Sequence, residues 1–267
     1  MNLSDDEIHV WLAFGGEVRD GGVLAEYEAM LQPDERERLA RLRFGPQRHQ
    51  FLVTRALQRT VLAAYLPGLA PHELRFITGV RGKPALAGDS SAMNLHFNVA
   101  HTQGLVAIAL CREAMVGIDV ENITKRTAPL EIAKRYFTAE EAHALADLPR
   151  EQQLARFFSL WTLKESWLKA TGLGLAAGLG NISFALGSGH GVTRVNFAND
   201  DARHWTFWQA CPTAEHVLAL AVRHAVRPVP GAQAMHVKMW RCVPGTPPVG
   251  EPLAPPSVSG QEKRAQP

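Results

Sequence analysis

Four residues offer the clearest chemistry in this chain: Asp119, Glu121, Glu165 and Lys169. The first two lie in Gly117-Ile118-Asp119-Val120-Glu121. A strand's period of two puts both carboxylates on one face, with Ile118 and Val120 on the other. Two carboxylates that close repel each other unless one is protonated or a cation sits between them. Hard oxygen donors suit Mg2+, with Mn2+ as the alternative, and leave coordination positions for phosphate and water. An ordinary acidic strand end is the competing explanation.

Glu165 and Lys169 sit in Phe157-Phe158-Ser159-Leu160-Trp161-Thr162-Leu163-Lys164-Glu165-Ser166-Trp167-Leu168-Lys169. Apolar residues recur there at spacings of three and four, which predicts a helix, and Gly172 and Gly174 supply its stop. Glu165 falls at the edge of the apolar stripe, where an unpaired charge is costly. Either a cation neutralises it or Lys169, one turn on, forms a surface pair worth only about 0.2–0.5 kcal/mol.

The elements that must hold these groups are legible around them. Ile8 to Phe14, Asn94 to His101, Leu105 to Cys111 and Met115 to Glu121 read as strands. The last three form an expected antiparallel meander, with Leu105 to Leu110 buried on both faces. Pro33 opens one helix and Gly45-Pro46 precedes another, on which Arg48, Arg55 and Arg59 share a face. Guanidinium forks in such a row match phosphate oxygens, whereas a solvated helix flank would need no ligand. The turn Gly79-Val80-Arg81-Gly82-Lys83-Pro84 lets backbone and lysine approach a ligand. Thr138 to Glu141 has capping-box spacing. Three further alternating stretches follow the Glu165 helix, so strand–helix–strands occurs before Gly117 and again after it.

The totals exclude several classes. With 267 residues, 46% hydrophobic and 20% charged, the chain suits one large or two small globular domains. A net charge of +2 argues against bulk nucleic-acid binding. Three scattered cysteines suggest a reducing compartment without a zinc framework. Without an apolar leader or a span of membrane length, a cytoplasmic location with no membrane partner is expected. From Pro228 the composition turns proline-rich, and this tail reads as largely disordered, with one edge strand at Met235 to Trp240.

Three blocks in order carry a resemblance. His96-Phe97-Asn98-Val99-Ala100-His101, then Gly117 to Glu121, then Trp161 to Lys169 resemble the signatures of Sfp-type 4′-phosphopantetheinyl transferases. They stand about twenty and forty residues apart, and the resemblance runs from about Leu31 to Leu186, including the Gly82-Lys83-Pro84 turn. It implies an α+β fold of two similar halves with antiparallel sheets and packed helices, related by a pseudo-twofold, with the active site at their interface. The expected division is residues 1–116, 117–227 and the tail 228–267.

The implied reaction moves 4′-phosphopantetheine from coenzyme A to a serine of an apo acyl or peptidyl carrier protein, leaving 3′,5′-ADP. By resemblance Asp119, Glu121 and Glu165 match metal ligands, Glu165 also the base, and Lys169 the group facing the leaving phosphate. Lys164 matches a pyrophosphate contact, and Lys83, Pro84 and His101 match positions that hold coenzyme A. Arg38, Arg48 and Arg55 loosely match the basic region that holds its 3′-phosphate. Two positions depart from the pattern: Ala100 where serine is common, and acidic Glu35 where a basic residue follows Pro33. A monomer is expected. A Mg2+-dependent phosphohydrolase or nuclease, and a non-catalytic coenzyme A-binding protein, are the competing classes.

Overall fold

A computed structural model describes residues 1–79, 82–88, 94–112, 114–124, 127–174, 178–187, 191–224, 235–245, 248–254 and 257–258. Its first half runs β1 (Glu7–Phe14), α1 (Gly21–Ala29), α2 (Pro33–Arg41), α3 (Gly45–Tyr65), β2 (Phe76–Thr78), β3 (Pro84–Leu86), β4 (His96–Thr102) and β5 (Leu105–Cys111). Next come β6 (Ala114–Asn122), α4 (Pro129–Tyr136), α5 (Ala139–Ala146), α6 (Arg150–Thr171), β7 (Ile182–Leu186) and β8 (Val192–Phe197). The chain ends with β9 (Trp205–Thr213), β10 (His216–His224), β11 (His236–Cys242), β12 (Gly250–Leu253) and β13 (Ser257–Val258). The mixed α+β class follows the alternation of apolar periods along the chain. The chain divides into two units, residues 1–113 with 233–255, and residues 114–232 with 256–267.

In the first unit α3 lies on a five-stranded sheet of order β12-β11-β1-β5-β4. Trp11, Ala13, Val106, Ile108 and Leu110 of the sheet share one core with Val53, Ala56, Leu57 and Val61 of α3. Every residue of β5 is buried, as its uninterrupted apolar run predicts. Its neighbours are β4 and β1, both antiparallel. The expected three-strand meander is therefore incorrect. β6 leaves this sheet and pairs with β10 in the second unit.

The C-terminal segment also departs from expectation. β11 runs parallel to β1, from Glu7 opposite His236 to Leu12 opposite Arg241. It is an inner strand, because β12 pairs along its other side. Met239 and Cys242 are buried there, and Trp240 stacks on Trp11 with ring centroids 4.8 Å apart. Residues 236–242 and 250–253 thus belong to the first unit's fold, and 257–258 pair with β9. Composition gave weight to the prolines, while aromatic and apolar burial decides the outcome. Residues 259–267 of the expected tail lie outside the described residues.

In the second unit α6 packs on a four-stranded sheet of order β13-β9-β10-β6. Leu160, Leu163, Trp167 and Leu168 meet Phe207, Val217, Ala219 and Ala221 in one core. Gly117 sets the spacing. A Cβ there would stand 2.0 Å from the Ser166 carbonyl oxygen and 2.3 Å from the Ala170 nitrogen, so only glycine lets the helix backbone come this near. Gly172 ends α6 as its C-cap, at φ 67°. Thr138 and Glu141 form the capping box of α5 as predicted.

Candidate active site

In the second unit, the strand–helix contact at Gly117 brings two lines of sequence together. Asp119 and Glu121 are the next residues on the same face of β6, and Glu165 and Lys169 lie on α6. Lys169 Nζ donates to Asp119 Oδ1 at 2.6 Å, so the lysine pairs across elements and not with Glu165 along its own helix. Asp119 is buried, at 6% exposure, and its Oδ2 has no hydrogen-bond partner among the described residues. Glu165 Oε1 is likewise buried and unpartnered.

The electrostatics follow from that geometry. Burial pushes the Asp119 carboxyl up to about 6, against the pull of Lys169. Burial also raises Glu165, to about 7, reinforced by the negative charges of Asp119 and Glu121 and opposed by Lys169. Glu165 is thus coupled to both strand carboxylates, and one lysine cannot neutralise three acids. Acceptor-only oxygens left unpaired in a buried site fit a hard divalent cation. Among the described residues, however, no three acidic, His or Cys side chains already stand in a ligating arrangement. Lys169 takes up one Asp119 oxygen instead.

Lys164, the neighbour of Glu165 in sequence, requires a correction. It is fully buried, at 0% exposure, with its ammonium 2.7 Å from Glu141. It also donates to the Leu179 carbonyl at 2.9 Å and to that of Ile182. Its three N–H bonds are thereby committed, so the implied pyrophosphate contact is not available to it. Glu141, seen in the sequence only as a capping residue, is its counter-ion and also accepts from the Phe184 amide at 2.9 Å. The lysine ties α6 to α5 and to the start of β7.

The first unit carries a cleft of about 480 Å³, lined in part by Arg38, Gln50, Arg55, Gln58, Pro84 and His101. Arg38 and Arg55 both stand over the Phe51 ring, at 5.7 and 5.4 Å. Arg55 is held 3.3 Å from Glu35 and donates to Gln58 Oε1 at 2.8 Å. Gln50 reaches His101 Nδ1 at 3.2 Å. Four sequence-predicted residues, Arg38, Arg55, Pro84 and His101, are thus gathered here. Gln50 and Gln58 were missed, although they recur at i and i+8 on α3, beside Arg55's face.

Other predicted basic residues fall elsewhere. Arg48 does not line the cleft, and its guanidinium donates to the Leu39 carbonyl at 2.7 Å, closing the end of α2 onto α3. Arg59 is buried at 1% exposure and bonds Glu35 Oε2 at 3.1 and 2.5 Å, with Pro71 and Leu74 carbonyls on its other side. It is a core residue, not part of an exposed row. Glu35, the departure noted after Pro33, is the acid that holds Arg55 and Arg59. Lys83 does not line the cleft either, and burial pulls its pKa down. Val80 and Arg81 of its turn lie outside the described residues.

Comparison with known proteins covers both units. Residues 115–221 match the family described as "4'-phosphopantetheinyl transferase superfamily", and residues 23–113 match "4'-phosphopantetheinyl transferase, N-terminal". The chain is 37% identical to the 4'-phosphopantetheinyl transferase HetI of Nostoc sp., over 83% of its own length and 90% of the relative's. It is 32% identical to the 4'-phosphopantetheinyl transferase psf-1 of Bacillus pumilus, over 75% and 82%. The human L-aminoadipate-semialdehyde dehydrogenase-phosphopantetheinyl transferase is 30% identical, over 72% and 67%. The carboxylate strand, the glutamate–lysine helix and the arginine cleft all lie inside these matches, and the chain belongs to the 4′-phosphopantetheinyl transferase superfamily, as an enzyme of phosphopantetheinyl transfer.

Proposed function

We propose that the protein transfers 4′-phosphopantetheine from coenzyme A to a serine hydroxyl of an apo carrier protein, releasing 3′,5′-ADP. The observation that carries this reading is the buried pair of unpartnered carboxylate oxygens on Asp119 and Glu165 beside Lys169. Glu165, held near neutrality, is matched to accept a proton at working pH. In the proposed step the serine oxygen forms a bond to the β-phosphorus of coenzyme A. The bond from that phosphorus to the oxygen of the 5′-phosphate breaks. The serine proton passes to Glu165, and Lys169 offsets the charge that collects on the leaving phosphate.

Asp119, Glu121 and Glu165 would hold Mg2+, or Mn2+ in its place. Such an ion, when bound, supplies charge neutralisation to pyrophosphate oxygens. Lys169, which pairs with Asp119, would be the positive charge that faces the leaving phosphate. In the first unit, Arg38, Arg55 and His101 are assigned to the nucleotide phosphate, and Pro84 to the wall of the same cleft. The natural partner is a carrier protein, and action as a cytoplasmic monomer completes the proposal.

The test is a mass measurement on a panel of apo carriers incubated with coenzyme A and Mg2+. The expected result is addition of one phosphopantetheinyl group, lost in Glu165→Gln and Asp119→Ala variants that remain folded. Hydrolysis of coenzyme A without carrier labelling would reject transfer in favour of a phosphohydrolase. Full turnover by either variant would reject the assigned roles.

A further inference from the structure

The second unit contains a cavity that none of the residues assigned to transfer lines. It has a volume of about 350 Å³ and opens among α5, α6 and the β7–β8 hairpin. Its apolar wall includes Leu145, Leu160 and Phe184, all buried. Arg156 of α6 and Arg194 of β8 also line it. On α6, Arg156, Leu160 and Lys164 follow at intervals of four and share a face. Glu165 is five residues beyond Leu160, roughly 140° away around the helix at about 100° per residue. The cavity therefore faces away from the carboxylate pair.

Its charges are unbalanced. Arg156 is half-buried, donates to the Gly187 carbonyl at 3.1 Å, and makes no ion pair among the described residues. Burial pulls its pKa down, and no carboxylate offsets that pull. Glu141, which also lines the cavity, cannot serve, because Lys164 neutralises it at 2.7 Å. Arg194 adds a second positive charge and Glu140, exposed, a negative one. The net surplus is one positive charge over an apolar chamber. A guanidinium fork in that setting selects a planar carboxylate. The volume lies at the lower end of the roughly 300–1,000 Å³ typical of small-ligand sites, which limits the apolar part to a short body.

We infer that this cavity binds an aliphatic monocarboxylate of medium chain length, with its carboxylate on Arg156 and its chain against Leu145, Leu160 and Phe184. Glu140 at the wall disfavours a dianionic head such as a phosphate monoester. Because the site lies on the other side of α6, its occupancy does not depend on the assigned transfer residues.

The experiment is calorimetric titration of the full-length protein with decanoate, and with decanol and decyl phosphate as controls. One saturable equivalent of decanoate is expected, with weaker binding of both controls. Arg156→Gln should weaken decanoate on the order of ten- to a hundredfold, the value of a charge-assisted bond. Ala144→Trp, an exposed helix position at the cavity, should block binding while leaving every charge and the melting temperature in place. Glu165→Gln should bind decanoate like the parent even though it loses transfer. Decanol binding as tightly as decanoate, unchanged affinity in Arg156→Gln, or no saturable binding would each overturn the inference.

Discussion

Lys169 Nζ lies 2.6 Å from Asp119 Oδ1, which joins the last turn of α6 to the middle of the β6 carboxylate strand. The lysine is 29% exposed and the aspartate 8% in their side chains, so the acid is the more deeply committed partner. Replacing Lys169 with Met should leave Asp119 with its desolvation uncompensated and drive its pKa further up. Transfer should fall on the order of a hundredfold or more in kcat, typical of losing a charged group at a phosphoryl centre. A pH–rate profile would read both effects together.

Glu165 and Asp119 together predict an unusual pH dependence of stability. Their folded values, about 7 and about 6, lie above the ordinary 4.5 and 3.8. Between about pH 4 and pH 7 the folded protein therefore holds protons that the unfolded chain has released, so stability falls as pH rises through that window. Without divalent cation, Glu165→Gln should melt with the parent near pH 5 and a few degrees above it near pH 8. Added Mg2+ should raise the parent's melting temperature more at the higher pH than at the lower. Thermal scans at the two pH values decide it.

Gly117→Ala should be far more damaging than its size suggests. The added Cβ meets helix backbone, at 2.0 Å from the Ser166 oxygen, and backbone cannot rotate away. The expected loss is about 1–3 kcal/mol or more from overpacking, with transfer reduced in the surviving fold as α6 shifts from β6. Urea denaturation and carrier labelling would measure the two.

Lys164 gives the contrast between a structural and a ligand-binding lysine. Lys164→Met leaves Glu141 buried without its cation, which typically costs about 3–5 kcal/mol. Lys164→Met combined with Glu141→Gln removes both charges, keeps an acceptor for the Phe184 amide and should recover part of that loss. In either folded variant the KM for coenzyme A should stay within about twofold of the parent, because the lysine's bonds all end inside the unit. A large rise in KM without destabilisation would restore the pyrophosphate role.

The sequence exposed local features well and distant pairings poorly. The capping box at Thr138, the stop at Gly172 and the facing carboxylates of β6 depend on neighbours a few residues away, so period and residue type suffice. The pairing of Lys164 with Glu141 and of Arg59 with Glu35 links charges that look solvated when read along one helix. Burial of such charges depends on which elements pack, and no local period encodes that. β6 exchanging sheets and β11 running beside β1 belong to the same class. The strand expected at Met235 to Trp240 is present, with Val237 and Met239 buried in alternation, but proline density concealed the second strand that makes it an inner one.

The position of β11 also bears on the order in which the chain can fold on a ribosome. β1 begins at Glu7, yet its parallel neighbour begins at His236, so that pairing waits until the chain has been synthesised beyond His236. The second unit, residues 114–232, emerges in between and has almost all of its strand partners in hand before then. Such distant closure slows folding and leaves a strand edge exposed in the interval. Helix α6 and strand β6 would therefore consolidate first, while the nascent edge of β1 stays open until β11 arrives.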